Sequence, residues 1–204
     1  MLDGKMRHLL EPALNRTGRA LAASGIGANM VTLAGFALAI AAAALIAFHW
    51  YLAGLAVLVV SRLADGLDGA VARATKKTDF GGYLDIVLDF AFYGAVPLGF
   101  VLADTGANAL AGAVLLFSFY VNGASFLAYS IFAERHGLET LARGEKSLFF
   151  TTGLAEATET IVVFAAMCVF PDWFPVLAYG FAALTLYTAL SRIVLAARTF
   201  GDRT

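Results

Sequence analysis

The chain has 204 residues, of which 60% are hydrophobic and 14% charged, with a formal net charge of -1. A soluble domain is typically about 45–50% apolar and about 25% charged. An ordinary soluble protein is therefore excluded, and little chain is left for a domain outside a membrane. Taken in order, residues 1–27 carry Lys5, Arg7, Glu11, Arg16 and Arg19, too many charges for the apolar core of a signal peptide. Leu2, Met6, Leu9, Leu10, Leu14 and Leu21 predict an amphipathic helix lying on the membrane surface, with a plain basic tail as the alternative. Spanning a bilayer takes roughly 20 mostly apolar residues. Six such stretches follow, at 28–48, 51–74, 79–103, 108–133, 147–170 and 174–198. The expected fold is an all-α membrane protein: one domain over 1–204, with a six-helix bundle over 28–198.

Lysines and arginines gather at the N-terminus, between spans two and three, between four and five, and near the C-terminus, whereas the turns around 49–50, 104–108 and 171–173 carry none. Basic loops stay on the cytoplasmic side, so both termini and the two basic connections are expected there, and chemistry near them faces the cytoplasm. Trp50, Tyr51 and Trp173 fit an aromatic belt at the outer interface. Cys168 is the single cysteine, which excludes an internal disulfide and a cysteine zinc site. His8, His49 and His136 fall in different loops and make no metal set.

Acids inside a membrane are costly, and each needs a partner or a function. Six are present: Asp65 and Asp68 in span two, Asp85 and Asp89 in span three, and Glu156 and Glu159 in span five. Residues three or four apart share a helix face, so each pair forms a wall. At about 1.5 Å per residue, Asp65 lies roughly 14 Å from the span end at Ala74, and Asp89 roughly 15 Å from Asp79. Two antiparallel neighbours thus bring four carboxylates to one level. Without a cation between them such groups repel and neutralise, and hard oxygen ligands favour magnesium or manganese. A proton or sodium relay in a small cation-coupled transporter is the alternative from charge placement alone. Gly66, Gly69, Gly81 and Gly82 flank the acids, either admitting a ligand to the backbone or allowing helices to pack closely.

Residues 65–89 read DGLDGAVARATKKTDFGGYLDIVLD. The string resembles the signature of the CDP-alcohol phosphotransferase family, D-x2-D-G-x2-A-R followed after a spacer by G-x3-D-x3-D, matched by Asp65, Asp68, Gly69, Ala72, Arg73, Gly81, Asp85 and Asp89. The spacer of seven residues is one shorter than the commoner eight, which leaves Gly82 able to supply part of the glycine function. The resemblance implies transfer of a phosphate-linked group from a CDP-alcohol, such as a CDP-linked lipid, to an acceptor hydroxyl in phospholipid biosynthesis, with release of CMP. It implies two divalent cations, Mg2+ or Mn2+, on Asp65, Asp68, Asp85 and Asp89, and Asp89 as general base. It also implies CDP contacts from Asn29, Thr32, Gly69, Arg73, Thr78 and Gly81, although the family's frequent proline before Asn29 is Ala28 here; for Arg73 a purely topological role is the alternative. A homodimer in a bacterial inner membrane is implied as well, with no nucleic-acid partner.

The acceptor is less legible. Glu156 lies about 14 Å from Ser147, at the depth of Asp65 and Asp89, and shares a face with Glu159. With Thr152 and Thr158 these acids form a candidate pocket for hydroxyls or a cationic head group, unless they pair with Arg62 or Arg192. Lys146 and Arg192 offer instead a site for an acceptor phosphate. Neither a free polyol nor a polyol phosphate is excluded.

Overall fold

The computed structural model describes residues 2–137 and 157–201, and every regular element among them is helical. The helices among them are α1 (Leu2–Ala23), α2 (Ala28–Ala47), α3 (Tyr51–Ala74), α4 (Asp79–Ala103), α5 (Thr105–Arg135), α6 (Ala157–Val169) and α7 (Phe174–Phe200), with a 3-10 turn, Pro171–Trp173, before α7. Local chemistry sets the boundaries. After α1 the Ile26 amide reaches back to the Leu21 carbonyl at 3.1 Å, around Gly25 at φ 84°, a left-handed conformation that glycine adopts without strain. The Thr78 hydroxyl accepts the Gly81 amide and starts α4, and the Asp104 carboxylate accepts the Ala107 amide and starts α5, each satisfying an amide that the first helical turn leaves orphaned.

Among the described residues four helical segments are long and apolar enough to cross a membrane: Ala28–Ala47, Asp79–Ala103, Thr105–Arg135 and Pro171–Phe200. α3 is equally long, with 24 residues. Arg62, Asp65, Asp68 and Arg73 remove it from that class on composition. Only α6, 13 residues long, represents the fifth expected span among the described residues. The first segment is a helix of 22 residues that packs along α3, where a Cβ placed at Gly18 would stand 2.7 Å from that of Ala70.

α2 is the central partner, packing on both α3 and α4, while α5 pairs chiefly with α7. The approach of α4 to α2 is nearly backbone to backbone, since a Cβ at Gly99 would lie 2.6 Å from the Ala43 carbonyl oxygen. Small residues at such crossings are how helices associate where lipid removes the hydrophobic drive. Ser61, fully buried, adds a hydrogen bond from α3 to the Gly35 carbonyl of α2 at 2.8 Å. Toward the end bearing Trp50 and Trp173 the bundle fills with aromatic rings: Phe100 stacks on Phe174 at 4.9 Å, and Phe164 meets both Phe92 and Phe119 edge-on. Phe117, Tyr120, Val176 and Leu190 point outward, the surface a bilayer accepts.

Candidate active site

Because α3 and α4 both lean on α2 more than on each other, their facing sides leave a cleft that side chains must fill. The acids fill it. Ligand oxygens of Asp65, Asp68 and Asp85 lie within 4.8 Å of one another, two from α3 and one from α4, as the spacing requires. Asp68 is buried, and its Oδ2 has no hydrogen-bond partner among the described residues. The Thr32 hydroxyl, which donates to the Ala28 carbonyl at 3.1 Å, stands beside the Asp68 carboxylate, as does the Gly69 amide.

Asp89, expected with the other three, stands apart on a cation. Arg62 Nη1 donates to Asp89 Oδ1 at 2.8 Å and lies 3.6 Å from Asp65 Oδ1. The Cζ of the same guanidinium lies over the Phe92 ring, 3.6 Å from its centroid. Among the described residues Arg62 pairs with these aspartates and not with Glu159, while Glu156, the other partner open from the sequence, lies outside them. Sequence reasoning had not assigned Arg62 or Phe92 to the site, though a signal existed: Arg62 is one turn before Asp65 on the same face of α3, and Phe92 one turn after Asp89 on α4.

Four carboxylates thus face one guanidinium. Among the described residues no other cation lies within ion-pair distance of them. The donor set fits a divalent cation: three convergent carboxylates from two helices and, among the described residues, one buried oxygen without a protein donor and an excess of negative charge. All-oxygen ligation is the preference of Mg2+ and Mn2+.

The six expected CDP contacts gather where α2 and α4 begin and α3 ends. A Cβ on Gly81 would come within 3.0 Å of both Asn29 Oδ1 and Thr78 Oγ1, whereas one on Gly82 would meet nothing within 4 Å. The shorter spacer therefore leaves the close-approach position on Gly81, with free space over Gly82. Arg73 Nη2 donates to Asn15 Oδ1 at 2.9 Å, so α1 holds the arginine of the signature.

Of the charged acceptor candidates, Arg192 and Glu159 fall within the described residues. Arg192 Nη1 donates to the Asn122 carbonyl, to Asn122 Oδ1 and to Ser125 Oγ, fastening α7 to α5. Glu159 sits in the first turn of α6, half-buried, with Oε2 enclosed and lacking a hydrogen-bond partner among the described residues. Lys146, Glu156 and Thr152 lie outside the described residues.

A helical membrane bundle with a carboxylate-lined, cation-fitting cleft beside a glycine-rich helix start defines a metal-dependent membrane transferase. Residues 26–197 match the CDP-alcohol phosphatidyltransferase family, and the chain belongs to it. It is an enzyme that transfers the phosphate-linked group of a CDP-alcohol to an acceptor hydroxyl, releasing CMP, in phospholipid biosynthesis. The transporter alternative finds no support. The chain is 45% identical over 193 residues to the inner membrane protein YnjF of Escherichia coli K12, covering 95% of this chain and 94% of that one. An archaetidylinositol phosphate synthase of Pyrococcus horikoshii is 32% identical over 166 residues, 78% of each chain. Among solved structures, phosphatidylinositol phosphate synthase of Mycobacterium tuberculosis with CDP-DAG bound superposes with a TM-score of 0.65 at 25% identity, over 89% of this chain and 90% of that one. The same synthase in complex with manganese and citrate gives the same TM-score and identity over 89% and 87%.

Proposed function

We propose that this enzyme takes a CDP-linked lipid as donor and a polyol phosphate as acceptor, at a site of two divalent cations opening to the cytoplasm of a bacterial inner membrane. The observation that carries the reading is the convergence of Asp65, Asp68 and Asp85 within 4.8 Å, next to a helix start at which Asn29, Thr78 and Gly81 crowd together. Bound Mg2+ or Mn2+ would neutralise the donor pyrophosphate and the departing CMP, as divalent ions do in other phosphoryl transfers. Asp65, Asp68 and Asp85 hold that charge, with Asp89 contributing at the edge of the set. Asn29, Thr32, Gly69, Arg73, Thr78 and Gly81 orient the cytidine end. Asp89 takes the proton of the acceptor hydroxyl as its oxygen bonds to the lipid-side phosphorus and the bond to CMP breaks. A carboxylate is a weak base toward an alcohol, so proton loss must run together with bond formation.

A phosphorylated acceptor is favoured by Arg192, whose guanidinium is bonded to neutral oxygens and has no carboxylate within ion-pair distance among the described residues. The inositol-phosphate chemistry named for two of the relatives agrees with that charge. Glu159, with Glu156, is assigned to the acceptor's hydroxyls, and Lys146 to its phosphate. Six spans, α1 on the cytoplasmic surface, and a homodimer complete the reading.

The test is CMP. Purified enzyme with Mg2+ or Mn2+ and CDP-diacylglycerol, offered a panel of polyols and their phosphates, should release CMP with a polyol phosphate and stay silent with the free polyol. Release with free polyols alone would overturn the acceptor assignment. Introduced cysteines at Lys76 and Arg143 that react only from the periplasm would overturn the orientation.

A further inference from the structure

The level at which the acidic cleft ends is built from two residues that no feature of the signature includes. α3 runs toward the 75–78 connection and α4 runs away from it, so Arg62 lies about one turn deeper than Asp65, and Phe92 about one turn deeper than Asp89. The Arg62 Cζ stands over the Phe92 ring, 3.6 Å from its centroid. Phe92 is fully buried, and beyond it Phe164, Phe119 and Phe181 continue the aromatic core. The Arg62 side chain is only 12% exposed. A guanidinium at that depth is costly unless its charge is matched and its faces are covered. Here Asp89 and Asp65 match the charge and Phe92 covers one face, an arrangement worth more as water is excluded. Ser61 and Phe92 thus bracket Arg62 between fixed points, one hydrogen-bonded to α2 and the other locked in the core.

We infer that Arg62 is a positioning residue for the reaction: stacked on Phe92 as the floor of the cleft, it fixes the Asp89 carboxylate by its Oδ1 and leaves Oδ2 to meet the acceptor hydroxyl. This rests on the assignment of Asp89 as the base. Among the described residues the hydrogen bond received by Asp89 engages Oδ1 alone, so one oxygen is held and the other is left for chemistry. A base that is held on one side has a fixed reach, and displacement of such a group by about 1 Å can cost about a hundredfold in rate. Arg62 also explains why Asp89 stands outside the three-carboxylate set: a fourth carboxylate drawn onto a cation of the protein repels the other three less.

The experiment compares Arg62→Lys, Arg62→Gln and Asp89→Asn. Each variant is titrated with Mn2+ and with CDP in Mn2+ by calorimetry, and assayed for CMP release with the acceptor that the panel identifies. Arg62→Lys keeps the charge but loses the flat fork that spans Asp89 and the ring, and carries the test if Arg62→Gln proves unstable in detergent. Expected are a fall in kcat of about ten- to a hundredfold in both Arg62 variants and Mn2+ and CDP affinities within about twofold of the parent. Asp89→Asn should lose turnover altogether, and Arg62→Gln added to it should lose nothing more. Parent-like kcat in both Arg62 variants beside an inactive Asp89→Asn would overturn the positioning role and leave the base assignment standing. Full turnover in Asp89→Asn would instead remove the base assignment. Loss of CDP or Mn2+ affinity matching the loss of kcat would overturn the inference by placing Arg62 in the donor and metal site.

Discussion

α3 and α4 each change character along their length, and the two halves obey opposite rules. In the half toward Trp50, Leu58, Val96 and Phe100 are buried and α4 lies against α2 with Gly99 on the Ala43 carbonyl. In the half toward the 75–78 connection the same helices turn Asp65, Asp68, Asp85 and Asp89 into a cleft, and Asp65 and Asp89 keep about a third of their side chains exposed. Arg62 on Phe92 marks the boundary. The difference shows how a membrane enzyme affords a polar site: one half is packed closely enough to fix the helices, so the other can hold repelling charges apart at a set distance until cations bind.

The comparison breaks most sharply at Asp68. Asp68→Asn removes a charge from the three-oxygen set, and CMP release should fall by about a hundredfold or more, since metal, donor charge and leaving group all depend on that set. Calorimetry should show Mn2+ and CDP affinity falling together; CDP affinity unchanged in Mn2+ would separate Asp68 from the metal site. Next comes the packed half. Gly99→Leu drives a side chain into the Ala43 backbone and should lower stability by about 1–3 kcal/mol, the usual range for overpacking, read as a lower Tm in detergent. An unaltered Tm would mean that α2 and α4 are not held by that close approach.

Gly81 and Gly82 sharpen the open half. Gly81→Ala forces Asn29 or Thr78 to move and should weaken CDP binding by about tenfold, roughly 1.4 kcal/mol, whereas Gly82→Ala meets no protein atom. If the Gly82 variant loses as much, the donor itself lies over Gly82, and the glycine is there for the ligand and not for the helix start. The smallest effect is expected from Ser61→Ala, which deletes one buried hydrogen bond to the Gly35 carbonyl and should cost about 1 kcal/mol of stability, with the CDP affinity of the folded enzyme unchanged. A larger loss of CDP affinity than of stability would tie Ser61 to the cleft through Arg62.

Much of this architecture was written locally. The helical starts at Thr78 and near Asp104, the turn at Gly25 and the extents of α3 and α4 follow from caps, glycine and apolar runs, each acting over a few residues. The pairing of Asp65 with Asp68 and of Asp85 with Asp89 follows from helical periodicity, and the level at which the pairs meet follows from rise per residue, because both are properties of one helix at a time. The family, too, was legible, since its signature is a continuous string.

Which partner each face meets was decided only by the tertiary structure. Periodicity placed Arg62 beside Asp65 but could not choose among acids on three spans, because a long guanidinium side chain reaches any carboxylate within several ångströms; packing of α3 and α4 on α2 brought Asp89 within 2.8 Å. The same packing assigned the close approach to Gly81 over Gly82, and sent Arg192 to Asn122 and Ser125 on α5. A sequence fixes the order of groups along each helix by covalent geometry, whereas distances between helices arise from the summed fit of many side chains, and small residues such as Gly99 set them.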